Sequence, residues 1–167
     1  MKQGKLQQKK PYQLTGVDLE ILQLVNEYHF LTVEQLIRLR YSKGSLTTVQ
    51  TKLKALTENK YLDRRHLPHT GTGNTVYVYN LTTKAQQYLQ EAGFTGFSRY
   101  RRSDILTVKL PHLQHALSLN DVLIAARLLA KDVPAITLAE ARHDLDLKKT
   151  PVKVTVEKRL PYGDRVD

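Results

Sequence analysis

The stretch SLTTVQTKLKALTENKYLDRRHLPHTGTGNTVYVYN, residues 45–80, changes its apolar period midway, and that change decides the fold. At about 100° per residue, Leu46, Val49, Leu53 and Leu56 gather on one face of a helix. Thr47, Thr48 and Thr51 lie opposite, with Lys52 and Lys54 on either flank. Threonine is a middling helix former because its β-branch is stiff, so a purely structural surface favours Glu, Lys or Ala there. Short hydroxyls between long cations suit a surface that closely approaches a DNA groove; an ordinary solvated face is the competing reading. After Asn59 the period shortens. KYLDRRHL reads as a strand with Tyr61, Leu62 and Leu67 as its larger apolar residues. PHTGTGNT, 68–75, is a breaker-rich tip, and VYVYN returns as a β-branched and aromatic strand. A hairpin directly after such a helix is a wing, which can lie along a phosphate backbone or reach into a minor groove.

Upstream, LTGVDLEILQLVNEY predicts a first helix, capped by Thr15, with Asp18 in its first turn and Ile21, Leu22, Val25 and Tyr28 as its apolar stripe. LTVEQLIRL predicts a second. There Thr32 and Gln35 have capping-box spacing, and Val33, Leu36, Ile37 and Leu39 supply the buried face. The basic connection RYSKGS, broken at Gly44, leads into the quoted helix. Three short helices with a tight turn between the last two have helix-turn-helix spacing.

Downstream, LTTKAQQYLQEAGF predicts a helix capped by Thr82 and stopped at Gly93, with Leu81, Ala85, Tyr88, Leu89 and Ala92 packing on the first helices. In the connector TGFSRYRRSDILTVK, Arg99, Arg101 and Arg102 surround Tyr100, and arginine interleaved with an aromatic can hold nucleic acid. PHLQHALSLNDVLIAARLLAKD predicts a long helix to about Lys131. Its polar stripe of Gln114, Ser118 and Asp121 is narrow, so it should pack on the winged helix or on a second copy as a homodimer. AITLAEAR and VKVTVEKR read as strands, and Asn120 and Asp121 are expected to secure this second unit internally. The expected fold class is mainly α with a β-hairpin. A basic disordered tail spans 1–13, a winged helix-turn-helix 14–95, a linker 96–110 and a small α/β unit 111–167.

The chain has no cysteine, which excludes disulfides and zinc–cysteine sites and points to a reducing cytoplasm. Its start, MKQGKLQQKKPYQ, lacks the apolar run of a signal peptide, and no apolar run nears the roughly 20 residues that span a membrane. Lys and Arg number 26 against 16 acids, for a net charge of +10 and a pI near 9.8. Residues 1–100 hold 14 basic and 7 acidic residues and the rest hold 12 and 9, so the front carries +7 and the back +3. Double-stranded DNA on the front half is the favoured partner. No basic amphipathic segment with bulky aromatics favours a membrane surface.

LTGVDLEILQLVNEYHFLTVEQLIRL, VYVYNLTTKAQQYL and HALSLNDVLIAARLL, in that order between about residues 14 and 147, resemble the replication-relaxation family of plasmid and mobile-element proteins. YNLTTKA and HALSLND carry most of the resemblance. It implies winged-helix DNA binding in plasmid replication, relaxation and mobilisation or their transcriptional control, with replication or mobilisation proteins as further partners. Some related mobilisation proteins join such a winged helix to a restriction-endonuclease-like domain that nicks DNA. Acids on adjacent strands hold the metal there, and a lysine follows the second acid. Glu140 and either Asp164 or Asp167 stand at corresponding places, and the sequence ends before an acid-x-lysine strand. No enzymatic activity is therefore expected. The alternatives are the N-terminal part of a metal-dependent DNA-nicking relaxase and a winged-helix protein-interaction module.

Ser45, Thr47, Thr48, Gln50 and Thr51 are the expected groove readers, with Lys52 and Lys54 near phosphates. Arg64, Arg65, His69 and Thr72 should support them from the wing, and Arg40, Lys43, Arg99, Arg101 and Arg102 are backbone candidates. Ser and Thr discriminate bases less than bidentate Arg or Asn, and Gln50 points sideways, so backbone and indirect readout should be substantial. His112 and His115 share a helix face and could bind a metal with an acid such as Glu140 or Asp144, but helical His pairs without a matched acid are more often cap or packing residues. GTG at 71–73 lacks the Lys-Ser/Thr of a phosphate loop, and no nucleophile elbow occurs. No catalytic residue, metal ligand or cofactor is expected.

Overall fold

A computed structural model describes residues 12–41, 44–68, 76–94 and 107–138. Two reciprocal caps begin it. At α1 (Gly16–Tyr28) the Thr15 side chain accepts from the Asp18 N–H, while the Asp18 carboxylate accepts from the Thr15 N–H at 2.8 Å. At α2 (Val33–Arg40) Thr32 and Gln35 do the same, at 3.2 and 3.1 Å. Each box satisfies donors that a helix start leaves open. α3 (Leu46–Glu58) ends in a left-handed turn with Lys60 at φ 63°. The Tyr61 N–H donates to the Leu56 carbonyl and the Lys60 N–H to that of Thr57, which turns Tyr61 onto the core. α4 (Thr83–Glu91) ends the same way, with Gly93 at φ 83°.

β2 (Leu62–Leu67) and β3 (Val76–Leu81) pair antiparallel from Leu62↔Leu81 to Leu67↔Val76. A two-residue strand, β1 (Leu31–Thr32), pairs with the other side of β3, so the order is β1-β3-β2. The expected hairpin is therefore the larger part of a three-stranded sheet. Alternation puts Leu62, Arg64, His66, Tyr77, Tyr79 and Leu81 on one face and Asp63, Arg65, Leu67, Val76, Val78 and Asn80 on the other.

The core is built from the predicted stripes. Ile21, Leu22 and Val25 of α1, Leu36 of α2, Val49, Leu53 and Leu56 of α3, and Ala85 of α4 are all fully buried. Leu46 departs from expectation: it starts α3 beyond the core and is 45% exposed. Ala92, just past the end of α4, is also exposed. Tyr12 leaves the expected disordered tail. Its hydroxyl donates to Asp18 at 3.1 Å and its ring lies 6.5 Å from that of Tyr61. Burial, then the Asp18 carboxylate, pushes that hydroxyl up to about 12, so it remains a donor at ordinary pH.

Of the two places expected for the long helix, α5 (Leu110–Asp132) takes the first and packs on the winged helix. Leu113 and Leu117 pack with Phe30 and Val78, and Ile124 enters the main core. The reason is a polar need. The chain between α1 and β1 buries two carbonyls, and Asn120 Nδ2 donates to both, Tyr28 at 3.1 Å and Phe30 at 2.6 Å. Gln35 Nε2 returns a bond to the Leu117 carbonyl at 2.9 Å. Asp121 meets Arg38 at 2.6 Å and Arg127 meets Glu27 at 2.9 Å. Asn120 and Asp121 thus fasten α5 to the helix-turn-helix. Of the expected strand AITLAEAR, residues 135–138 form a turn and irregular chain. The strand VKVTVEKR and residues 96–106 of the expected linker lie outside the described residues.

Candidate nucleic-acid interface

An open groove of about 550 Å³ runs between α3, the start of α2 and the Arg64–Tyr77–Tyr79 face of the sheet. α3 contributes Leu46, Gln50 and Lys54, the strands contribute Arg64, Tyr77 and Tyr79, and the start of α2 contributes Thr32, Val33 and Glu34. Thr47, Thr48 and Thr51 are exposed on α3, and Ser45 occupies its N-cap position. The Thr51 hydroxyl donates to the Thr47 carbonyl at 2.8 Å, so its oxygen faces outward as an acceptor. Lys54 is well exposed, and its Nζ is 3.9 Å from Glu58, a separation at which an exposed pair holds weakly. Its charge remains available to an approaching anion.

Lys52 has a different task. Its Nζ lies 3.1 and 3.3 Å from the two oxygens of Asp18, which is fully buried, and 3.1 Å from Thr15 Oγ1. Burial pushes the Asp18 carboxyl up, but bonds from the Thr15 N–H and hydroxyl and from Lys52 outweigh it and hold the group below the usual carboxylate range. Withdrawing Lys52 toward a phosphate would leave a buried carboxylate uncompensated. The lysine expected at a phosphate is instead the tie between α3 and the start of α1. Its place on the helix explains this, since the flank of an apolar face is where a long stem reaches across to a neighbour.

The two wing arginines also separate. Arg64 faces the groove, with its guanidinium 4.8 Å from the centre of the Tyr77 ring. Arg65 points to the opposite face and donates from Nη1 to the Val108 carbonyl at 2.6 Å. Strand alternation forbids both from facing one ligand. His66 shares the side of Arg64, edge-on to Tyr77 at 6.0 Å. Burial holds the Tyr79 hydroxyl above its ordinary range, with Arg64 opposing. Tyr77 and Tyr79 are legible as groove residues only through the pairing of the strands, which sets them opposite His66 and Arg64.

Arg40 is likewise engaged within the fold. Its Nε and Nη2 each lie 2.7 Å from an oxygen of Glu20, a bidentate pair joining α2 to α1. Lys43, His69, Thr72, Arg99, Arg101 and Arg102 lie outside the described residues, as do Glu140, Asp144, Asp164 and Asp167. His112 and His115 are exposed on α5. Among the described residues no group of three or more His, Asp or Glu could hold a metal ion, and no helix is long and apolar enough to cross a membrane.

The family model described as replication-relaxation matches residues 22–154, from within α1 to beyond α5. The chain belongs to the replication-relaxation family. Its matched region includes the whole groove and the helix that braces it. No curated protein matches the chain. Among solved structures, the crystal structure of Bacillus subtilis PadR in complex with operator DNA is similar at 16% identity and a TM-score of 0.40, covering 74% of this chain and 81% of that one.

Proposed function

We propose that this replication-relaxation protein binds double-stranded DNA through α3 and the hairpin, in the replication or mobilisation of a plasmid or mobile element or in control of their genes. The observation that carries the reading is the convergence of Gln50, Lys54 and Arg64 on one groove, beside a hydroxyl-bearing helix face, in a chain of net charge +10. α3 would enter the major groove with Thr47, Thr48, Gln50 and Thr51 toward base edges. Lys54 and Arg64 would flank it at phosphates. The test is salt dependence. Lys54→Ala and Arg64→Ala should weaken binding to all duplexes and flatten the plot of log K against log salt, by about 0.9 for each phosphate no longer neutralised. Thr47→Ala and Thr48→Ala should keep the slope and reduce discrimination by about 1–3 kcal/mol at the affected base pairs. A slope unmoved by the Lys54/Arg64 pair in a folded protein would reject this interface.

The reading contains binding and no strand cleavage. Supercoiled plasmid should stay supercoiled after incubation with the protein and Mg²⁺ or Mn²⁺. Open circles that disappear in Glu140→Ala would favour the nicking alternative instead.

A further inference from the structure

The face of α5 turned away from the domain carries a pattern that the groove does not use. Leu113, Leu117, Asn120 and Ile124 are buried against the winged helix. On the opposite side His115, Ser118, Val122, Ala125 and Leu129 are exposed, Val122 at 66% and Leu129 at 50%. Their spacing is three, four, three, four, the a and d positions of a heptad seam. None of the five is an acid, Lys or Arg, whereas a quarter of the whole chain is charged. The helix does have outward-reaching charges, but Asp121 and Arg127 are drawn to Arg38 and Glu27 of the domain. A solvated helix face normally carries charge, and this one does not.

We propose that this seam pairs with the same seam of a second copy, antiparallel, about a two-fold axis passing beside residues 123 and 124. Antiparallel seams stack an a position on a d position. In this register Val122 meets Ala125 of the second copy and Leu129 meets Ser118, so each bulky side chain lies over a small one. His115 meets Asp132. Asp132 stands in the last turn of α5, where the helix dipole disfavours a carboxylate, and the partner helix would bring its N-terminal end there. A parallel pair would set Val122 on Val122, leave gaps at Ser118 and Ala125, and put His115 against His115. The sequence of the seam is therefore self-complementary in one direction, as an isologous interface requires. The pairing stands whether or not the chain binds DNA.

Sedimentation velocity of the full chain over a range of concentrations should show a monomer–dimer equilibrium. Leu129→Glu should weaken dimerisation by about 100-fold or more while leaving the melting temperature of the monomer unchanged, because the side chain is half exposed in it. Direction is read by cross-linking, since the chain has no cysteine of its own. A mixture of Val122→Cys and Ala125→Cys chains should oxidise to dimers joining one variant to the other. A wild type that is monomeric at every concentration overturns the proposal, as do cross-links formed only between identical Val122→Cys chains. It also fails if Leu129→Glu destabilises a monomer, which would mean that the seam is covered within the same chain.

Discussion

Asp18→Ala is expected to lower the unfolding free energy by about 3 kcal/mol, the cost of breaking a buried ion pair, although this residue is fully buried and away from the groove. Asp18 accepts from the Thr15 N–H and hydroxyl, from the Tyr12 hydroxyl and from Lys52, with no exposure to solvent. Its removal takes away half of a capping box and the counter-charge of Lys52. Lys52→Ala should cost a similar amount, because it strands the carboxylate. Lys52→Met, which keeps the stem, should lose nearly as much and separate charge from packing. Neither Lys52 variant should change the salt slope of DNA binding, in contrast to Lys54→Ala. The carboxyl titrates below its unfolded value, so its contribution is full above about pH 4 and disappears as pH falls through the folded value. Chemical denaturation between pH 7 and pH 2 should show this acid-side loss in the wild type and a shallower one in Asp18→Asn.

Asn120→Ala should cost about 1–3 kcal/mol, because the Phe30 carbonyl loses its side-chain donor inside the protein while that of Tyr28 keeps only the Phe30 N–H. Asn120→Asp is the more telling variant. An ionised carboxylate cannot donate, and it would face two carbonyl oxygens at a site only 1% exposed. The introduced acid should titrate above its ordinary range, so the destabilisation relative to wild type should be smallest at low pH and grow as pH rises. A difference from wild type that is flat with pH in Asn120→Asp would mean that the α1–β1 connection does not depend on this side chain.

Local features are the legible ones. Thr15 with Asp18 and Thr32 with Gln35 are read from a spacing of three, and the buried stripes of α1 and α3 from a period of 3.6. β1 is invisible in the sequence because two residues carry no period, and Thr32 is already accounted for as a cap. The tie of α5 to the domain is hidden for another reason. Asn120 looks like any polar residue on a helix until the carbonyls it serves, some ninety positions earlier, come beside it. The same limit applies to the cations. Composition counts Arg40, Lys52, Arg64 and Arg65 alike, but three of them are held by Glu20, Asp18 and the Val108 carbonyl. For Arg64 and Arg65 the pleat alone is enough to show that only one could face the groove.

The bond from Arg65 to the Val108 carbonyl joins the sheet to the approach of α5, beside the packing of Val78 on Leu113 and Leu117. One end of this link carries Arg64 and the groove, and the other carries the outward seam. Should a ligand at the groove favour one tilt of the hairpin, this bond and the apolar contacts beside it are the route by which α5 would feel it. Reciprocity then requires that anything gripping α5 favour the same tilt by an equal free energy. Severing the bond with Arg65→Leu would leave Val78 packed on Leu113 and Leu117, so it should weaken that link without abolishing it.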